Sequence, residues 1–205
     1  MHYGFVKLPL IPVRAAGNER SEMTTQLLLG EYVKIIEEQE KWLYVENIED
    51  GYQGWVDRKM IVIVSESTFL ESRQMKITKV CYPYALIYNQ VLNQSMLIPG
   101  GSLLYNLKAD VFKLHDETWT LMDINCVLNP LNQRAEKSTH EEFLINTAMS
   151  YINTPYLWGG KSVLGIDCSG LVQIVYSIAG FSLPRDASQQ AQHGISVESL
   201  ADAII

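Results

Sequence analysis

The sequence predicts a β-rich chain that turns helical: small β-barrels as far as Pro130, then the beginning of an α+β domain. Three observations point there. Short runs of β-branched and aromatic residues alternate with polar turns in the first part. The apolar spacing changes to a helical period after Ser138. Between the two lies a polar stretch with Pro130, Asn132, Gln133, Arg134, Glu136 and Lys137, which reads as a linker.

Residues 32–36 (Tyr-Val-Lys-Ile-Ile) and 42–45 (Trp-Leu-Tyr-Val) are strand-like. Residues 37–41 (Glu-Glu-Gln-Glu-Lys) and 49–51 (Glu-Asp-Gly) form polar turns around them. Strands this short and this close suit a small barrel, not alternating βαβ units. A faint repeat supports a second barrel. Leu27-Leu28-Leu29-Gly30 has a counterpart in Leu97-Ile98-Pro99-Gly100, and Glu40-Lys41-Trp42 in Glu117-Thr118-Trp119. Two independent β segments with similar turns would give the same pattern. The expected divisions are 1–65 and 66–130 for the barrels, 131–138 for the linker and 139–205 for the last unit.

In that unit Thr139 and Glu142 fit a capping box. The helix it opens carries Phe143, Leu144, Thr147, Ala148 and Tyr151 on one face, and Pro155 closes it. A second helix should begin at Cys168, bury Leu171, Val172, Val175 and Ile178, and stop at Gly180. A third is expected from near Asp186 to Gly194.

Bulk properties narrow the function classes. Apolar residues make up 47% and charged residues 19%, ordinary for a soluble globular protein. A formal charge of -7 argues against nucleic acid or an anionic membrane as main partner. Cys81, Cys126 and Cys168 show no zinc-site or disulfide-framework spacing, and an odd count leaves a free thiol. No metal or other cofactor is implied. Residues 1–17, broken by Pro9 and Pro12, hold no apolar core of signal-peptide length, and no stretch approaches membrane-spanning length. The expected location is cytoplasmic, with a periplasmic or secreted protein shown without its leader as the alternative.

Ile166-Asp167-Cys168-Ser169-Gly170 opens the second helix. The start of a helix offers partial positive charge and N–H groups, which favour an anionic sulfur nucleophile and an oxyanion formed in acyl transfer. Asp167 is placed to cap the helix, and small Ser169 and Gly170 leave room for a substrate backbone. The plain alternative is a small buried thiol at the start of a core helix. Upstream, Tyr156-Leu157-Trp158-Gly159-Gly160 reads as a pocket wall with a flexible loop, or as packing and a turn.

Three blocks together resemble the NlpC family of papain-like cell-wall peptidases. They are Tyr156-Leu157-Trp158-Gly159-Gly160, Asp167-Cys168-Ser169-Gly170-Leu171-Val172, and Leu183-Pro184-Arg185-Asp186-Ala187-Ser188-Gln189-Gln190, in the family's order and spacing. Ser21-Glu22-Met23, Leu28-Leu29-Gly30 and Gly51-Tyr52-Gln53-Gly54-Trp55-Val56 are similar to the paired bacterial SH3-like barrels of members that act on free murein peptides. The resemblance implies two SH3-like barrels followed by the helical amino-terminal part of a papain-like domain. It implies hydrolysis of the bond between γ-linked D-glutamate and a diamino acid. By position it makes Cys168 the nucleophile and puts Tyr156 and Trp158 on the pocket wall. Asp167 and Ser169 would flank the acyl site, with Arg185 and Asp186 on the far wall. A carboxylate at Asp186 would hold the free amine of a terminal L-alanine, with Tyr52 of the first barrel above it. The alternatives are a helix cap shared with Gln189 for Asp186 and a strand-edge residue for Tyr52.

The family's base is a histidine on strands beyond Gln189, a region expected to be missing from a chain ending at Ile205. His2, His115 and His140 fall elsewhere, and His193 reads as a histidine near a helix carboxyl end. The expectation is a truncated, inactive catalytic domain whose uncovered Leu171, Val172 and Val175 favour an oligomer. A wall-peptide binding module without catalysis is the competing reading, and a ligand-free structural fragment a third.

Overall fold

The structure, a computed structural model, describes residues 2–128 and 137–199. The expected linker falls mostly outside these, and the side chain of Thr139 in the expected capping box lies outside them as well.

The first β module holds β1 (Tyr3–Phe5), β2 (Leu10–Arg14), β3 (Met23–Leu28), β4 (Tyr32–Glu38), β5 (Trp42–Asn47), β6 (Gln53–Asp57) and β7 (Val62–Val64). They form one sheet in the order β3-β2-β6-β5-β4-β1-β7, with β3 and β7 at its edges. The two strands legible in the sequence are β4 and β5, paired with each other. Alternation sends Leu43, Val45 and Asn47 of β5 inward. Val6, Ile11, Leu27, Val33 and Val56 complete that core.

Ser65 then caps α1 (Glu66–Ser72), its Oγ accepting from the Thr68 N–H at 3.1 Å. The second β module follows: β8 (Ile77–Val80), β9 (Tyr84–Asn89), β10 (Gln94–Pro99), β11 (Leu103–Tyr105), β12 (Val111–Leu114), β13 (Glu117–Leu121) and β14 (Val127–Leu128). It makes sheets ordered β10-β9-β13-β12 and β11-β8-β14.

The faint repeat is visible at one turn. Gly30 and Gly101 both have φ +87°; the Glu31 N–H donates to the Leu28 carbonyl at 3.1 Å, and the Ser102 N–H to the Pro99 carbonyl at 3.2 Å. The partner of Gly30 is thus Gly101, one place beyond the glycine the sequence pairing suggested. Gly30 also makes the joint between modules. The Leu103 N–H donates to the Leu29 carbonyl and the Tyr105 hydroxyl to the Gly30 carbonyl, both at 2.9 Å. Phe5, Tyr32 and Phe69 share one apolar cluster with Ile98, Tyr105 and Trp119.

The last unit contains α2 (Lys137–Met149), a short hairpin of β15 (Lys161–Ser162) and β16 (Gly165–Ile166), α3 (Cys168–Ile178) and α4 (Ala187–Gln190). On α2 and just beyond it, Leu144, Thr147 and Tyr151 are buried, as their spacing predicts. α3 begins at Cys168, and Gly180 follows it at φ +91°. Its buried side differs from the expected stripe. Gln173, Ile174, Val175 and Ile178 face in, Leu171 is half-buried, and Val172 is 39% exposed. Leu28 and Cys81 of the two β modules join α2 in covering this helix, so Val175 is not left open. The third helix is shorter than expected, ending at Gln190. Ala191, Gln192 and His193 supply no apolar face to extend it.

The left-handed backbone at Gly30 and the Leu103 carbonyl occupying the place of a Cβ leave no room for a side chain. Gly30→Ala should cost more than about 2 kcal/mol by strain and overpacking, measured as a lower urea midpoint at unchanged slope. An unchanged midpoint would contradict the tight joint.

Candidate active site

A cleft forms where the start of α3 meets the first β module. Glu22, Thr24, Tyr52, Trp158, Asp167, Cys168, Ser169, Arg185 and Asp186 line it, with Ala187 and Ser188 at one end.

The turn under Cys168 is built around Asp167. As N-cap of α3 in extended conformation, Asp167 accepts from the Gly170 N–H through Oδ1 at 2.7 Å and from the Gly159 N–H through Oδ2 at 2.8 Å. Arg185 grips the same carboxylate with both Nη atoms, at 3.0 and 2.7 Å. Its Nη1 also donates to Ser169 Oγ at 2.8 Å and its Nε to Thr25 Oγ1 of β3 at 3.0 Å. Arg185 is 2% exposed and Asp167 7%. Burial pushes the Asp167 carboxyl up, but the Arg185 hydrogen bonds and the Gly170 N–H outweigh it, and the group is held below its ordinary value. Asp167, Ser169 and Arg185 therefore do reach the cleft, with their polar groups engaged chiefly by one another. Cys168 stands exposed at the positive end of α3.

Trp158 and Gly159 bind this turn to the edge of β3. Trp158 Nε1 donates to Glu22 Oε1 at 2.6 Å. Gly159, at φ +76°, lies so close to the Met23 carbonyl that a Cβ would collide with it. Tyr156 departs from expectation. Its side chain is 69% exposed and is not part of the cleft lining. Around it the Ile166 N–H donates to the Pro155 carbonyl at 3.0 Å and the Leu157 N–H to the Ile166 carbonyl at 3.2 Å, so its backbone is engaged in the bridge to β16.

Asp186 and Tyr52 do come together in the cleft. Asp186 occupies the N-cap position of α4, yet its side chain makes no capping bond, so the alternative of a capping box with Gln189 does not form. Burial pushes the Tyr52 phenol up; Asp186 and Glu22 act in the same direction, against a hydrogen bond with Thr24 and the charge of Arg185. Glu22 and Thr24 were not legible as site residues. They precede Trp158 by more than a hundred positions, and only docking of β3 brings them there. Among the described residues no histidine lines the cleft: His2 and His115 pair with Glu38 and Asp116, and His193 lies in the turn after α4. The side chain of His140 is outside the described residues.

The three thiols differ sharply. Cys81 and Cys126 are buried, and burial pushes each up to about 11, whereas Cys168 is exposed. Iodoacetamide near neutral pH should modify Cys168 at least about tenfold faster than either of the others, read by peptide mass spectrometry. Equal labelling of all three in the folded protein would count against a nucleophile at Cys168.

Comparison with known proteins finds matches to both parts of the chain. Residues 13–61 match the bacterial dipeptidyl-peptidase Sh3 domain, and residues 153–203 match the NlpC/P60 family. The chain is 33% identical over 184 residues to dipeptidyl-peptidase 6 of Lysinibacillus sphaericus, covering 82% of this chain and 66% of that protein. It is 26% identical over 200 residues to a γ-D-glutamyl-L-lysine dipeptidyl-peptidase of Bacillus cereus, covering 87% of this chain and 57% of that one. The chain thus spans somewhat under two thirds of these relatives' length. Its fold matches a crystal structure of an NlpC/P60 family protein from Bacillus cereus with TM-score 0.81 at 20% identity, over 96% of this chain and 78% of the other. With an SH3-like domain docked on an Asp-Cys-Ser-Gly helix start, and with these matches over both, the chain belongs to the NlpC/P60 family.

Proposed function

We propose that this protein is a cysteine peptidase that hydrolyses the γ-D-glutamyl to diamino acid bond of free murein peptides beginning with L-alanine. The observation that carries the reading is the shared cleft of Cys168, Asp186, Tyr52 and Glu22. The similarity to γ-D-glutamyl-L-lysine dipeptidyl-peptidases supports it.

In this reading the Cys168 sulfur attacks the γ-carbonyl carbon of D-glutamate. Negative charge passes to the carbonyl oxygen, beside the positive end of α3. Collapse expels the diamino acid amine, which takes up a proton, and leaves an acyl-enzyme thioester. Water then releases the L-alanyl-D-glutamate dipeptide and restores the thiol. Asp167 and Arg185 hold the turn in shape. The carboxylates of Asp186 and Glu22, with the Tyr52 oxygen, receive the ammonium of L-alanine. The Asp167–Arg185 charges cancel, so the cleft carries net negative charge from the other two acids. An acylated nitrogen, as in a stem peptide still joined to glycan, has no charge to offer them.

A general base is the part not supplied by the described cleft residues. General-base help is worth roughly 10²–10⁴-fold, so the 205-residue chain should turn over that much more slowly than the longer dipeptidyl-peptidases assayed beside it. Binding without cleavage is the second reading, and the missing imidazole in the described cleft favours it for this chain.

Two expected outcomes test the proposal. Matched free and N-acetylated L-alanyl-γ-D-glutamyl-L-lysine peptides should differ in affinity by roughly ten- to hundredfold, the worth of charge-assisted hydrogen bonds. Asp186→Asn should erode most of that difference, and, with no capping bond to lose, leave the unfolding midpoint nearly unchanged. Equal affinity of the parent protein for the two peptides would overturn recognition of the chain end. Rapid hydrolysis by the short chain, abolished by Cys168→Ala, would refute the expected low activity.

A further inference from the structure

Gln173 touches none of the cleft, yet it connects three of its walls. It lies on the second turn of α3, 4% exposed, among apolar neighbours such as Ile174 and Val175. Its Nε2 donates to Asp50 Oδ2 at 3.0 Å and to the Leu183 carbonyl at 3.1 Å. Turning the amide over would set its oxygen against a carboxylate and a carbonyl, so the partners fix its orientation. Asp50 uses its other oxygen, Oδ1, to accept the Tyr52 backbone N–H at 3.0 Å. Leu183 leads directly into Arg185 and Asp186. One amide nitrogen therefore joins the helix of Cys168, the loop of Tyr52 and the segment of Asp186.

A leucine at this place would fit the apolar face of α3 with less desolvation. The amide keeps one oxygen, Oε1, buried without a hydrogen-bond partner among the described residues, beside a cavity of about 130 Å³. What the polar side chain adds is the two-way bond, and that bond sets a length. The distance from the ammonium wall to the sulfur decides how many atoms fit between the peptide's amine and the bond to be cut.

We propose that Gln173 is a positioning residue that holds Tyr52 and Asp186 at a fixed distance from Cys168, and so sets the cleft's preference for a free amine at the correct spacing. The proposal rests on the reading of the cleft as an amine-binding peptidase site. Gln173 acts through Asp50 and Leu183, without contact to substrate.

The test is calorimetric binding of free and N-acetylated L-alanyl-γ-D-glutamyl-L-lysine to the full chain in a Cys168→Ala background. Gln173→Met, close in shape, should remain folded by circular dichroism and lower the affinity ratio of the two peptides at least about fivefold, because small misplacements of binding groups have large effects. Gln173→Glu should lower it similarly by setting two carboxylates together. Adding Asp50→Asn to Gln173→Glu restores a donor to the pair and should return the ratio to within about threefold of the parent, the mark of direct coupling. A purely structural role would move the unfolding midpoint and leave the ratio alone in the folded protein. A folded Gln173→Met with the parent's ratio overturns the proposal. If that variant does not fold, failure of Asp50→Asn to rescue Gln173→Glu overturns it instead. A parent that does not discriminate between the peptides removes the amine-site reading itself, and this proposal with it.

Discussion

The cleft depends on one buried charge pair. Arg185 and Asp167 are both nearly inaccessible, and removing two charges from water costs more than their attraction returns unless every remaining donor and acceptor is used. Here they are used. Asp167 takes two backbone N–H groups besides the guanidinium, and Arg185 gives its other hydrogens to Thr25, Ser169 and the Gly160 carbonyl. Since the Asp167 carboxyl is held below its ordinary value, the stability it contributes is present above the normal carboxylate range and lost only as pH falls through the lower folded value. The turn that presents Cys168 is thus fixed under neutral conditions.

The same pair explains why a β module belongs to the site. β3 is a sheet edge, and exposed edges invite unwanted pairing unless covered. The last unit covers this one nearly residue by residue. Glu22 just before it holds Trp158, Met23 abuts Gly159, Thr25 holds Arg185, and Gln26 Oε1 accepts the Lys161 N–H at 2.9 Å. Lys161 then pairs with buried Glu31 at 3.2 Å. Burial raises the Glu31 carboxyl more than the Lys161 charge lowers it. Docking therefore serves two ends: it hides the strand edge and brings Glu22, Thr24 and Tyr52 to the cleft.

Local signals carried much of this into the sequence. The strands β4 and β5, the apolar face of α2, and a helix beginning at Cys168 all follow from periodicity and end signals over a few residues. Long-range packing was not legible. Val172 was expected inside because its spacing fits, but Leu28 and Cys81 cover the neighbouring face. Asp186 reads as a helix cap in isolation, and nothing local reveals that its carboxylate faces the cleft uncapped. Tyr156 sits in an aromatic run that suggests a wall, while the bridge at Ile166 leaves its ring outside. Tyr52 and the three recognisable blocks came from resemblance, which carries tertiary information that composition lacks. Glu22 lay within one of the resembling segments without any feature marking it as part of a site.

The joint at Gly30 has a consequence for how the protein comes into being. Its chain neighbours hold the two β modules in one core, and β3, which ends two residues before it, carries one side of the cleft. The opposite side is made much later on the chain. During synthesis the strand and loop that carry Glu22, Thr24 and Tyr52 are therefore made before Cys168, while Asp186 follows it on the chain. A loosened form in which the last unit lifts from β3 would keep Cys168 and Asp186 and lose Glu22, Thr24 and Tyr52 from beside them. The lining of the cleft is thereby divided between two stretches of one chain, and it is whole only in the fully docked molecule.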